Sequence, residues 1–224
     1  MEKLSVALLA LTFLTVSGCE STVHGNGVFG VDTRSVPAFD GVSIGLGIVA
    51  TVRAGATDRS VTISGDQNVL QYIKTDVADG VLTTVLSGVD SFDSVHQIQL
   101  VVATPTLVLA DAWGSEGNTD VAVTSIDAAS FTVSASEGSV ISIAAVDSTL
   151  RTNLSLTASG TSTIDAIGYP VADATSTLSG GSSAEVTVTG TVDGALSEGS
   201  TLSVYGGGTC SFTPAPGTAC QLFP

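Results

Sequence analysis

Positive charge is what this chain most lacks. Six Lys and Arg stand against 21 Asp and Glu, for a net charge of −15, and beyond Gly80 thirteen acidic residues face a single basic one, Arg151. A chain of that sign repels a phosphate backbone, which excludes nucleic acid as a partner. The plain reading of the excess is a solvated, self-repelling surface. Histidine is almost absent as well. His24 and His96 lie far in sequence from the C-terminal cysteines, so no imidazole and thiolate set has metal-site spacing. Aromatic residues make up 5% of the chain, with one tryptophan, so a core has to be built from small and branched aliphatic side chains, which suit strands better than helices. No apolar run reaches the roughly 20 residues of a membrane-spanning helix. Nor does any stretch show the period of a long amphipathic helix; only Gln67–Lys74 has room for a helical turn. What is present is 43% hydrophobic residues, 12% charged residues and 25 glycines, a composition that folds rather than staying disordered.

The N terminus, MEKLSVALLALTFLTVSGCE, is a short polar start followed by an apolar run from Leu4 to Val16, the form of a targeting segment. It closes on Val16-Ser17-Gly18-Cys19, which resembles the lipobox of bacterial lipoproteins. The resemblance implies a signal peptide over residues 1–18, diacylation of Cys19, a membrane partner through that anchor and a flexible tether over residues 19–30. Glu20 in place of Asp implies sorting to the outer membrane. Of three cysteines, lipidated Cys19 leaves Cys210 and Cys220 as a pair. The loop CSFTPAPGTAC can bend its ends together, and an exported compartment permits a disulfide, with two free thiols as the alternative.

From Val42 to Val52 apolar residues alternate with Gly, Ser and Thr, as in a half-buried strand, and Ala78-Asp79-Gly80 signals a turn. After Trp113, Ser/Gly clusters such as Ser136-Glu137-Gly138-Ser139 alternate with short apolar-polar-apolar triplets. Val121-Ala122-Val123, Ile141-Ser142-Ile143, Ile164-Asp165-Ala166, Val186-Thr187-Val188 and Leu202-Ser203-Val204 start 20, 23, 22 and 16 residues apart. Second triplets, Phe131-Thr132-Val133 and Leu154-Ser155-Leu156, lie between them. Self-similarity at that period predicts an all-β single domain over residues 31–209, a right-handed β-helix or β-solenoid whose coils stack about 4.8 Å apart. Residues 210–224 would form a disulfide-closed cap. A β-sandwich of hairpins is the alternative.

The run from Gly25-Asn26-Gly27 through Arg34, Phe39, Gly55, Ser64-Gly65-Asp66, Asn68, Leu70, Ile73, Val77, Asp79-Gly80 and Leu82, followed by Pro105 and repeated Ser-Gly turns, resembles the bacterial auto-transporter adhesin head GIN domain family. The resemblance covers residues 25–208. It implies a β-helix-like domain of the cell envelope and carries no catalytic residues. The chain departs from the family in the glutamates at 116, 137 and 198, where Gly-Ser turns are commoner, and in the tail holding Cys210 and Cys220.

Several short patterns fail on context. Gly25–Gly30 spells a dinucleotide fingerprint without a strand before it or a helix after it, and Gly45–Ala50 repeats the spelling at strand period. Gly41-Val42-Ser43-Ile44-Gly45 spells a nucleophile elbow, but Ser43 sits inside a strand pattern and only His96 could serve it. The acidic corners are more informative. If equivalent turns stack, Glu116 and Glu137 are neighbours, and with Asn118 and Asp120 they could hold calcium or serve glycoside hydrolysis; otherwise they are solvated turn residues. Trp113 beside them either stacks on a sugar or covers the core. The expectation is a non-catalytic structural or adhesin-like envelope module, meeting a glycan or a surface protein and needing no cofactor unless calcium. The rival is a polysaccharide-active β-helix enzyme, for which the single base Arg151 is a poor endowment.

Overall fold

The computed structural model describes residues 21–114 and 118–224. Alternation is realised as strands throughout. In Ser130–Ser136 the residues Phe131, Val133 and Ala135 are buried while Thr132 faces out. The chain is an all-β single domain with one helical turn, Gln67–Leu70.

From Leu109 onward the strands fall into two walls, each a parallel ladder. The first wall stacks Gly41–Ile44, Leu109–Trp113, Ser130–Ser136, Arg151–Ala158, the second half of Thr163–Leu178, Thr191–Leu196 and Thr209–Cys210. The second stacks Val49–Arg53, Asp120–Ile126, Val140–Ala145, the first half of Thr163–Leu178, Ser183–Val188, Thr201–Tyr205 and Ala219–Leu222. Between the walls lie aliphatic columns, for instance Ala50, Val121, Ile141, Ile164, Ala184 and Leu202, paired in register and all buried. Because Thr163–Leu178 runs through both walls, all these strands belong to one 18-stranded, nearly closed, barrel-like sheet.

Two expectations need correcting. Uniform β-helix coils do not run from residue 31. The N-terminal half closes the sheet with antiparallel ladders, Phe29–Arg34 on Ser60–Asp66, Ser60–Asp66 on Gln99–Ala103, and Ile73–Ala78 on Val81–Leu86. The last is a hairpin whose turn, Asp79-Gly80, has φ of 51° and 80°, the paired positive values that match the twist of two antiparallel strands. The parallel registers after residue 109 equally leave no hairpins there for a sandwich. Second, Ile164-Asp165-Ala166 stacks on Ala184-Glu185-Val186, not on Val186-Thr187-Val188, and Leu202-Ser203-Val204 follows it. A slip of two residues preserves the alternation, so sequence pattern cannot detect it.

The segment read as a tether is pinned along the N-terminal half: Thr22–His24 pairs with Ser91–Asp93, and the Asn26 N–H donates to Asn68 Oδ1 at 2.9 Å. At the other end a disulfide joins Cys210, stacked on Val192 in the first wall, to Cys220, stacked on Leu202 in the second. Residues 1–20, including Cys19, lie outside the described residues, and among the described residues no helix is long and apolar enough to cross a membrane.

Candidate ligand-binding face

The recurrent Ser- and Gly-rich corners join first-wall strands to second-wall strands, and their last hydroxyl points inward. Thr119, Ser139, Ser162, Ser182 and Ser200 are all buried. Each bonds back across its own corner. Ser139, Ser162 and Ser200 donate to the carbonyls of Ser136, Ser159 and Ser197 at 2.8, 2.7 and 2.6 Å, and Ser182 donates to that of Ser179. Thr119 donates to the Trp113 carbonyl at 2.8 Å, and Thr218 repeats the device in the tail on Ala215. Such bonds satisfy backbone groups that a tight corner would otherwise strand away from water. They explain the repeat: the serine three residues after the first serine of the corner is an internal fastener. The Ser-x-x-Ser spacing was visible in the sequence, but which serine faces inward was not.

Glu116 lies outside the described residues. Glu137 is exposed with φ of 57°, Asn118 and Asp120 are exposed, and among the described residues no three His, Cys, Asp or Glu side chains come together as a metal site. Glu198 instead serves the fold, its Oε2 accepting the Gly180 N–H at 2.9 Å. Trp113 is half-buried against the core. A Cβ on Gly45 would sit 2.2 Å from its ring, so glycine is what lets the indole lie on the preceding corner.

The residues weighed for catalysis are also occupied. Ser43 donates to Asp111 Oδ2 at 2.7 Å rather than to His96. His96 Nδ1 bonds Asp66 Oδ1 at 2.8 Å, and the Val95 and His96 N–H groups donate to Asp66 Oδ2. The His96 bond, aided by these backbone donors, holds the Asp66 carboxyl below its ordinary range against the opposing effect of burial. Arg151 is buried, bonded to the carbonyls of Asp147, Thr149 and Ile126 and to Asp147 Oδ1, and stacked 5.3 Å from the Tyr169 ring. Hydrogen bonds from Thr149, then Arg151, keep the Asp147 carboxyl low, while burial pushes the Tyr169 hydroxyl up to about 12. A guanidinium so engaged cannot neutralise a uronate at the surface.

What the fold does expose is the outer face of the first wall. Register aligns Leu109, Thr132, Ser155, Thr175 and Asp193 in one row, and Asp111, Ser134, Thr157 and Thr177 in the next. Ser130, Asn153 and Asp173 flank the first row and with it line a groove of about 620 Å³ running across five strands of the wall. Short hydroxyl, amide and carboxylate groups thus repeat at the spacing of the ladder, about 4.8 Å. The three carboxylates of this face are engaged internally: Asp111 accepts hydroxyls from Ser43 and Ser134, Asp173 Oδ1 accepts the Thr191 N–H at 2.9 Å, and Asp193 accepts the Ser211 hydroxyl. The triplets are legible in the sequence but this face is not, because their middle residues become rows only once the strands stack.

Residues 38–208 match the family described as "Putative auto-transporter adhesin, head GIN domain". The chain belongs to this family. No functionally curated protein matches the sequence. Among solved structures, a "putative adhesin" from Bacteroides fragilis is similar at 13% identity and a TM-score of 0.69, over 90% of this chain and 100% of that one. A "putative lipid binding protein" from Parabacteroides distasonis is similar at 12% identity and 0.57, and a "putative adhesin" from Parabacteroides merdae at 15% and 0.53, each over 91% of this GIN-domain chain and 100% of its own. At such identities the likeness is one of fold.

Proposed function

We propose that this GIN-domain protein is a non-catalytic binding module of the bacterial cell envelope, a β-solenoid tethered through acylated Cys19, which presents the outer face of its first wall to an extended neutral glycan. The observation that carries the reading is the groove of about 620 Å³ lined by Thr132, Asn153, Ser155, Asp173, Thr175 and Asp193. Hydroxyl and amide groups at regular spacing offer donors and acceptors to successive sugar hydroxyls, and the net charge of −15 disfavours an anionic polymer. The parallel registers from residue 109 onward, with one corner type recurring between walls, support the solenoid winding. Adhesin descriptions of family and neighbours support an envelope role.

Calorimetric titration of the mature domain with neutral oligosaccharides of glucose, mannose and N-acetylglucosamine tests the site. At least one series should bind, and Ser155→Arg, which fills the groove without touching buried Leu154 or Leu156, should weaken it by about tenfold or more. Absence of binding across the three series, or binding indifferent to Ser155→Arg, overturns the reading.

A further inference from the structure

The few cations of this acidic chain are not spread evenly. Phe29–Arg34 pairs antiparallel with Ser60–Asp66, placing Arg34 opposite Val61 and beside the approach to that strand, where Arg59 lies. The two arginines line one recess of about 350 Å³ with the hydroxyl residues Thr33, Ser35 and Ser60. Arg34 is largely buried. Its Nη2 donates to the Leu70 carbonyl at 2.8 Å and pairs with Asp32 at 3.2 Å, which leaves it anchored and oriented. Arg59 is half-buried and lies over the ring of buried Phe39 at 5.2 Å, yet it pairs with no carboxylate among the described residues. In both, Nε is buried without an acceptor. A guanidinium withdrawn from water and not fully bonded costs stability unless something else accepts its hydrogens. In a chain with 21 acidic residues, a half-buried arginine held over an aromatic ring and left without a carboxylate among the described residues is a fork kept open.

We propose that this recess binds an oxyanion of the phosphate class. Two guanidiniums, one on the strand Phe29–Arg34 and one just before Ser60–Asp66, line the recess with hydroxyl groups; a planar carboxylate pairs side-on with a single fork, whereas a tetrahedral phosphate turns oxygens toward donors arriving from two sides. The phosphate can come from solution or from a lipid headgroup, and the binding chemistry is the same. The site is separate from the first-wall groove and does not depend on the glycan reading.

The test uses the mature protein with Cys19→Ala, so that no acyl chain carries it to the bilayer, and two probes, inorganic phosphate by calorimetry and phosphatidylglycerol vesicles by flotation. At least one probe should bind. Arg59→Gln should weaken that binding by about tenfold or more, Arg59→Lys, which keeps the charge but loses the fork, by an intermediate factor, and exposed Arg53→Gln, outside the recess, should leave it unchanged. Loss confined to the phosphate titration identifies a soluble ligand, and loss confined to flotation a headgroup; either supports the site. If neither probe binds, or if Arg53→Gln weakens binding as much as the Arg59 variants do, the proposal is overturned. Arg59→Lys decides the matter should Arg59→Gln fail to fold.

Discussion

Replacing Ser139 by alanine removes one inward hydroxyl from the corner fasteners. Its Oγ accepts the Ser136 N–H at 3.1 Å and shares its hydrogen between the Ser136 and Ala112 carbonyls at 2.8 and 2.7 Å, with Ser139 wholly buried. Alanine fits the space but leaves the half-buried Ser136 N–H without this acceptor. A buried polar group so abandoned costs about 1–3 kcal/mol. For a domain of this size each kcal/mol moves Tm by about 2–4 °C, so a loss of about 2 kcal/mol lowers melting by about 4–8 °C. The control is Ser155→Ala, an exposed serine of the outer face, whose cost should stay within about 0.5 kcal/mol. Differential scanning calorimetry on both variants settles it: if Ser139→Ala melts together with Ser155→Ala, the inward hydroxyls do not hold the corners and the account of the repeat fails.

Gly45→Ala pushes a methyl to 2.2 Å from the Trp113 ring, so the indole must move. The expected cost is about 1–3 kcal/mol, as for other overpacking, and emission from the only tryptophan should shift to the red; unchanged emission and melting would show that the ring does not rest on Gly45. Asp66 sets part of the acid sensitivity. Its folded carboxyl lies below the ordinary 3.8, so its contribution is complete above that pH and is lost as the pH falls through the lowered value. Asp66→Asn should therefore flatten the fall in urea midpoint between pH 6 and pH 2, and an identical acid slope in the variant would refute the role.

Much of the candidate site was written in residues whose meaning depends on neighbours far along the chain. The triplet Leu154-Ser155-Leu156 announces two inward aliphatic residues and one outward serine, and the structure keeps that assignment. Nothing local says that Ser155 stands between Thr132 and Thr175. The corner motif is similar: serine and glutamate stand side by side in it, and only the folded chain shows that the serine two residues after Glu137 and Glu198 turns inward to hold the corner, at Ser139 and Ser200. Trp113 and Gly45 are 68 positions apart, and the close approach that makes one explain the other exists only after the ladder of Leu109–Trp113 on Gly41–Ile44 has formed.

By itself the sequence determined an all-β chain with an aliphatic core and an acidic surface. Side-chain alternation and composition act residue by residue, whatever the partners. It determined too that corners recur, since Gly and Ser are needed wherever the chain turns sharply. The tertiary structure alone decided which strands stack on which, because a two-residue slip leaves the alternation intact and burial of whole columns must break the tie. It also decided the antiparallel closure of the N-terminal half, the rows of the outer face, and the meeting of Arg34 with Arg59. Each joins residues from separate segments of the chain, and only the hydrogen-bonded register brings them within reach.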